Sequence, residues 1–301
     1  MTDVTPFELV DGHHHLWDLT AVNYPWLNAT GVRRFFGDPT LIQRNYGVAD
    51  LRADAAPLRI IGSVHIQVGC APGSEVEETH YLERSAIHDG LPTAIVAAAD
   101  LLSPDLGKVL QQHLTASSRV RGIRQIIGRE PSDDARTGCS AVLDDPRLLT
   151  ALQHLADADL SFDLQLTVPQ MQAVAHLLAQ LPSLRVALCH VGSPWDHSLA
   201  GEAAWRRGLQ DLSALPGVHC KLSGLSMFNP HWQETEFIDR IYAAIDCCGV
   251  ERCFFGSNFP VDGLHRSYGE IVDATRAAVR GFGADAEAHI FRDNARRFYR
   301  L

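Results

Sequence analysis

Residues 11–18 read DGHHHLWD and follow the apolar run FELV (7–10). In an extended segment alternate side chains share a face, so His13 and His15 point one way and His14 the other. Imidazoles two apart on a strand can share a divalent metal such as zinc. They can equally act as general bases, because imidazole titrates near neutral pH. An expression tag is a longer run at the very terminus, whereas this triplet ends an apolar segment; a solvated loop is the plainer alternative. Further chemistry-bearing residues lie at the ends of similar runs. His190 closes RVALCH (185–190), and His65 and Gln67 stand two apart in RIIGSVHIQV (59–68). Arg124 is embedded in RGIRQII (121–127) and Lys221 in VHCKL (218–222), followed by Ser223. A buried cation is expensive unless paired, so each meets either a substrate anion or an internal acid such as Asp163. The run FFGSNFPVD (254–262) contributes Asn258 and, four residues on, Asp262, an acid for the site or a cap for the next helix.

These residues need a scaffold that turns several strand ends toward one point. Eight near-continuous apolar runs occur at 7–11, 59–68, 93–100, 121–127, 161–166, 185–191, 217–224 and 252–258. Such runs suit strands buried on both faces. Helical stripes lie between them at 147–158, 171–181, 237–245 and 267–282. Strand-then-helix alternation of this length predicts an α/β fold, a (β/α)8 TIM barrel, as one domain over 1–301. No G-x-G-x-x-G follows the first strand, which removes the usual nucleotide-binding alternative. In a barrel of this kind chemistry sits at the C-terminal strand ends. One connection, about 16–58, is unusually long and carries Trp17, Tyr24, Trp26, Phe35 and Phe36. A loop of that length is usually functional; the aromatics form either a lid and pocket wall, with Trp26 on the substrate, or a cover for the barrel's side. Trp195, just past His190, lines the pocket or closes a turn.

The net charge of −10 leaves no basic stripe to neutralise a phosphate backbone or an anionic membrane, so neither nucleic acid nor membrane is an expected partner. The seven cysteines are odd in number and lack C-x-x-C spacing. They read as buried, reduced thiols of a cytoplasmic protein, the vicinal Cys247–Cys248 pair included. The N-terminal segment has neither the basic start nor the apolar stretch of a signal peptide. No run of 18 apolar residues is present to span a membrane. Nothing in the sequence sets the oligomeric state.

Taken together, DGHHHLWD followed by YPWL, then VRGIRQII, SFDLQL, ALCHVGSP, CKLSGL and FFGSNFPVD resemble the amidohydrolase superfamily. The resemblance is to its branch of small TIM-barrel metal-dependent hydrolases that includes sugar lactonases and pyrone-dicarboxylate lactonases, and it covers nearly the whole chain. It implies a distorted barrel with the active site at its C-terminal face. His13 and His15 match the branch's H-x-H pair and His190 its strand-six histidine. Arg124 and Lys221 fall where these lactonases place cations near substrate carboxylates or hydroxyls. The branch includes members with zinc and members that work without metal.

Asn258 departs from the pattern, which usually has Asp there as proton acceptor for the attacking water. An amide does not take up a proton near neutral pH. Strand five ends in Gln165–Leu166, without the Lys or His of a binuclear site, so the resemblance implies one divalent metal, zinc on His13, His15 and His190, or none. With zinc, bound water loses a proton near neutral pH and attacks a lactone carbonyl; without it, His190 is the general base. Arg124 or Lys221 stabilises the oxyanion, Asn258 orients the water, and His65, Gln67, Trp26, Trp195 and Asp262 complete the pocket for a small anionic or polyhydroxylated molecule. Two other readings stay open: a metal-dependent non-oxidative decarboxylase, and a ligand-binding barrel impaired by Asn258.

Overall fold

All eight predicted runs form strands, and each lies parallel to the next. In the structure, a computed structural model, residues 6–130, 134 and 139–301 are described. The strands are β1 Glu8–His14, β2 Arg59–Ile66, β3 Ala94–Ala98, β4 Val120–Ile126, β5 Ser161–Gln165, β6 Val186–Leu188, β7 Val218–Leu222 and β8 Cys253–Phe255. They make one eight-stranded sheet in sequence order, β1 to β8. The main helices are α1 Val48–Ala55, α2 Glu75–Asp89, α3 Leu106–Ala116, α4 Arg147–Asp157, α5 Met171–Leu178, α6 Leu199–Ser213, α7 Glu234–Cys248, α8 Tyr268–Val279 and α9 Asn294–Tyr299. The four helical stripes correspond to α4, α5, α7 and α8.

The sheet curls into a nearly closed TIM barrel. At the C-terminal end the seam between β1 and β8 is joined by backbone hydrogen bonds from the chain just past β8: the Asn258 N–H donates to His13 O at 2.7 Å and the His15 N–H to Phe259 O at 2.8 Å. Gly12 makes this approach possible, since a Cβ there would fall 2.7 Å from both Phe254 Cδ2 and Phe255 O. The barrel is distorted, with β6 and β8 reduced to three residues each.

Two apolar layers hold it. Val10, Val64, Ile66, Val96, Ala187 and Phe254 form an inner cluster closed by Phe298 and Tyr299 of α9. A larger cluster fills the space between strands and helices, where stripes such as Leu148, Leu152 and Leu155 of α4 meet the sheet. Segment 16–58 is not structureless. It contains a helical turn at Pro25–Asn28, a 3-10 turn at Thr40–Ile42 and α1. Its Trp17, Tyr24 and Tyr46 are buried, and Trp17 pairs backbone to backbone with Tyr46. Among the described residues no helix is long and apolar enough to cross a membrane.

Candidate active site

β1 carries its histidines straight into the barrel mouth. Asp11 fixes that direction: its carboxylate accepts from the Ser257 N–H (2.9 Å), Ser257 Oγ (2.6 Å) and the Tyr268 hydroxyl (3.0 Å). The alternation then turns His13 and His15 inward. Their ring centroids are 5.2 Å apart, and that of His190 is 4.6 Å from His13. The three imidazoles expected to converge therefore do so. His14 faces away, its ring 6.1 Å from that of His65.

Each inward imidazole is fixed through one nitrogen. His15 Nδ1 lies 2.7 Å from Ile66 O, His190 Nδ1 3.1 Å from Ser223 Oγ, and His13 Nδ1 3.4 Å from Lys221 Nζ. His13 Nε2 is buried without a partner. Burial holds all three rings neutral. His15 is lowered to about 3 by desolvation and Arg124. His13 and His190 are pushed well below the usual histidine range by desolvation first and then by Lys221 and Arg124 respectively. His190 and Asn258 also share a left-handed backbone, with φ of 54° and 55°. Non-glycine residues take that conformation at a cost of about 1 kcal/mol or more, and such positions concentrate at functional sites.

The two buried cations separate. Lys221 is fully buried and does not line the cavity; its Nζ is 2.5 Å from Asp163 Oδ2, which also accepts from the Tyr299 hydroxyl at 2.8 Å. The internal acid is thus its partner, and Lys221 stands behind His13. Arg124, 7 % exposed, faces the cavity. Its Nη2 donates to Gln165 Oε1 at 2.6 Å and its Nη1 weakly to Gln67 O at 3.5 Å. Among the described residues no carboxylate pairs with it, and burial lowers its pKa from the usual arginine value.

The cavity encloses about 410 Å³, a size that suits a small ring. His15, Gln67, Arg124, Gln165, His190 and Asn258 form its polar floor. Trp17, Trp26, Phe35 and Phe36 of the long segment form a wall, and Arg34 and Arg129 add charge. Trp26 Nε1 donates to Val68 O at 2.8 Å, which fixes that indole.

Three other expected site residues lie behind this lining. His65 is fully buried; its Nδ1 accepts from the Leu16 N–H at 3.1 Å, so it supports the start of the long segment. Trp195 donates to the Arg129 carbonyl and packs on Phe35 and Phe228, bracing the wall from outside. Asp262 is buried beneath Asn258, whose Nδ2 donates to its Oδ1 at 2.8 Å.

Sequence reading missed Arg34, Arg129 and Met227 of the lining, the role of Gln165 in holding Arg124, and Glu78. The last is buried on α2, accepts the Val68 N–H at 3.1 Å and is pushed up to about 7 by desolvation. The arginine pair next to Phe35–Phe36 was a usable signal; Glu78, in an ordinary charged helix, gave none.

The residues as placed do not fit a divalent metal. Among the described residues no three His, Cys, Asp or Glu side chains are arranged to hold one. His15 Nδ1 is held by Ile66 O, and its Nε2 faces the amide oxygen of Asn258 at 3.3 Å. Charge points the same way. Lys221 and Arg124 stand close enough to depress the imidazoles, and no carboxylate joins the set to offset a dication's charge.

Comparison with known proteins agrees with this architecture. The family described as Amidohydrolase matches residues 10–301. A Sinorhizobium fredii protein described as uncharacterized, y4mH, is 36 % identical over the full length of both chains. An L-fucono-1,5-lactonase of Burkholderia ambifaria is 29 % identical over 97 % of this chain and 95 % of its own. A Burkholderia multivorans amidohydrolase crystallised with bound zinc superposes with a TM-score of 0.81 at 25 % identity, covering 97 % of this chain and 99 % of that one. With its HxH strand, its strand-six histidine and its barrel all in place, the chain belongs to the amidohydrolase family.

Proposed function

We propose that this protein hydrolyses a small cyclic ester bearing a carboxylate group. The observation that carries the reading is Arg124, a desolvated guanidinium in the cavity floor that is hydrogen-bonded to carbonyl oxygens and lacks a carboxylate partner among the described residues. A guanidinium keeps its charge at neutral pH, so an anion entering the cavity supplies the missing counter-charge. Arg34 and Arg129 on the same cavity favour an anionic over a neutral lactone. The family and the lactonase among its relatives support ester hydrolysis.

The chemistry is a water attack. His190 Nδ1 lies 3.1 Å from Ser223 Oγ, and in the tautomer that donates to this hydroxyl Nε2 is the basic nitrogen. Water oxygen bonds to the lactone carbonyl carbon while its proton passes to His190 Nε2. Arg124 takes the developing oxyanion. The ring C–O bond then breaks, and His190 returns the proton to the departing oxygen, giving an open-chain hydroxy acid. Asn258 orients the water, and the aromatic wall excludes competing solvent. No step in this sequence draws on a metal, in keeping with the donor set.

The test is a panel of carboxylate-bearing lactones, including pyrone dicarboxylates, beside neutral aldonolactones such as L-fucono-1,5-lactone, with acid release followed by indicator dye. Turnover with a preference for the carboxylated members is expected. Carbon dioxide release, or turnover confined to neutral lactones, overturns the proposal.

A further inference from the structure

We propose that Asp262, one residue removed from the cavity, is a positioning residue that sets which end of the Asn258 amide faces the reacting water. The inference rests on the lactonase reading for its kinetic consequence, and on hydrogen-bond bookkeeping for its structure.

Asn258 lies between two groups that make opposite demands. Its Nδ2 donates to Asp262 Oδ1 at 2.8 Å, and its Oδ1 is 3.3 Å from His15 Nε2. His15 Nδ1 is 2.7 Å from the carbonyl oxygen of Ile66, an acceptor only, so Nδ1 carries the proton. In the neutral ring Nε2 is then a lone pair, and two acceptors face each other across 3.3 Å at the cavity floor. A water at this point donates one hydrogen to Asn258 Oδ1, with its oxygen lone pairs turned into the cavity. The alternative is an amide turned end for end: Nδ2 donates to His15 Nε2, and Oδ1 accepts a hydrogen bond from a protonated Asp262. Only the first arrangement offers Asn258 Oδ1 as an acceptor to the nucleophile while leaving the water's other hydrogen for His190 Nε2, and Asp262 as carboxylate enforces it, because only the acid form can donate to Oδ1.

The surroundings leave that choice to Asp262 alone. Asn258 is its side-chain hydrogen-bond partner, Ser226 of the helical turn Leu225–Phe228 lies near enough to stabilise the carboxylate, and Oδ2 has no hydrogen-bond partner. No ion pair is found for it among the described residues. The charged neighbours on its own turn point elsewhere: His265 Nε2 bonds to Phe36 O and Arg266 Nη2 to Trp232 O. Desolvation pushes its carboxyl up to about 7, and Asn258 and Ser226 counter only part of this. The raised value means that the acid form prevails below neutrality and the water clamp assembles as pH rises through it.

The experiment compares wild type with Asp262→Asn over pH 5.5–8.5. In wild type, kcat should rise with pH on the order of tenfold or more, the scale set by misorienting a nucleophile. Asp262→Asn should be flat and close to the wild-type acid-limb rate, with KM little changed. Superimposable profiles for the two proteins overturn the proposal. A second measurement uses wild type alone: the Asn258 side-chain NH2 resonances in a 15N spectrum, identified by their loss in Asn258→Ser, should shift with pH in step with kcat. Resonances that stay put across the range overturn it even if Asp262→Asn fails to fold. Should no lactone be turned over, the functional reading fails, and the amide titration still decides the role of Asp262.

Discussion

Replacing Arg124 by Met separates the catalytic from the structural account of the cavity floor. Methionine fills similar space without charge. If Arg124 meets the oxyanion, its loss should lower kcat/KM by about 10²–10³, the usual cost of one preorganised donor, about 3–4 kcal/mol. Stability should move the other way or not at all. The guanidinium is 7 % exposed, and Gln165 Oε1, at 2.6 Å, is its strong partner. Stranding that oxygen costs about 1–3 kcal/mol. Removing an unpaired desolvated cation returns several kcal/mol. The melting temperature should therefore be unchanged or higher, at about 2–4 °C per kcal/mol for a large domain. Lactone hydrolysis on the best substrate of the panel, run beside thermal melts of the same preparations, reads both quantities. An Arg124→Met protein that keeps a third or more of its kcat/KM refutes the oxyanion role. One that melts well below wild type shows that the cation is there to hold the fold.

Other parts of the site give independent checks. Gly224 has φ of +69° and a Cβ there would fall 2.1 Å from His190 Nδ1, so Gly224→Ala should displace the base and cut kcat by about a hundredfold; unchanged kcat would remove His190 from the mechanism. Lys221→Met strands Asp163 in the barrel interior and should cost about 3–5 kcal/mol in denaturant unfolding, with Lys221→Met/Asp163→Asn recovering most of it. A double variant no better than the single would mean that Lys221 acts other than through Asp163. Zinc added to chelator-treated protein should give no tight binding isotherm and no gain in melting temperature, because the imidazoles lack an anionic partner; stoichiometric metal in purified protein would contradict this.

The fold was legible because each strand is a short apolar run with its own boundaries, and because barrel order is sequence order. The convergence of His13, His15 and His190 was legible for a related reason. Period-two alternation decides which imidazole faces inward, and a barrel brings strand ends together whatever their separation in sequence. Pairing was harder. Lys221 and Arg124 look alike in the letters, each a cation within an apolar run, yet Asp163 meets Lys221 and not Arg124. Asp163 stands beside Arg124 in the strand register, yet the guanidinium turns to Gln165 instead, and no local pattern encodes that choice. The same limit hid Glu78, which reaches the Val68 amide from an adjoining helix. Segment 16–58 read as loop because its elements are short, two single turns and the eight-residue α1, pinned by tertiary contacts such as the Trp17–Tyr46 pairing and with little periodicity of their own.

Asn258 takes on a different meaning once its neighbour is in view. By itself, an amide where the family pattern has Asp looks like lost catalysis. In this chain a carboxylate at 258 would stand where Nδ2 now meets Asp262 Oδ1, 2.8 Å away. Two acids that close cannot both ionise and would share a proton, with one pKa driven far up. The left-handed backbone at 258 is open to both Asn and Asp, so conformation excludes neither. What chooses is the buried acid four residues on. With Asp262 present, the amide is the residue that donates to it on one side and offers an oxygen to the cavity on the other. The substitution and the buried acid are then two halves of one arrangement, in which the titrating group has moved out of the cavity and acts through the residue that replaced it.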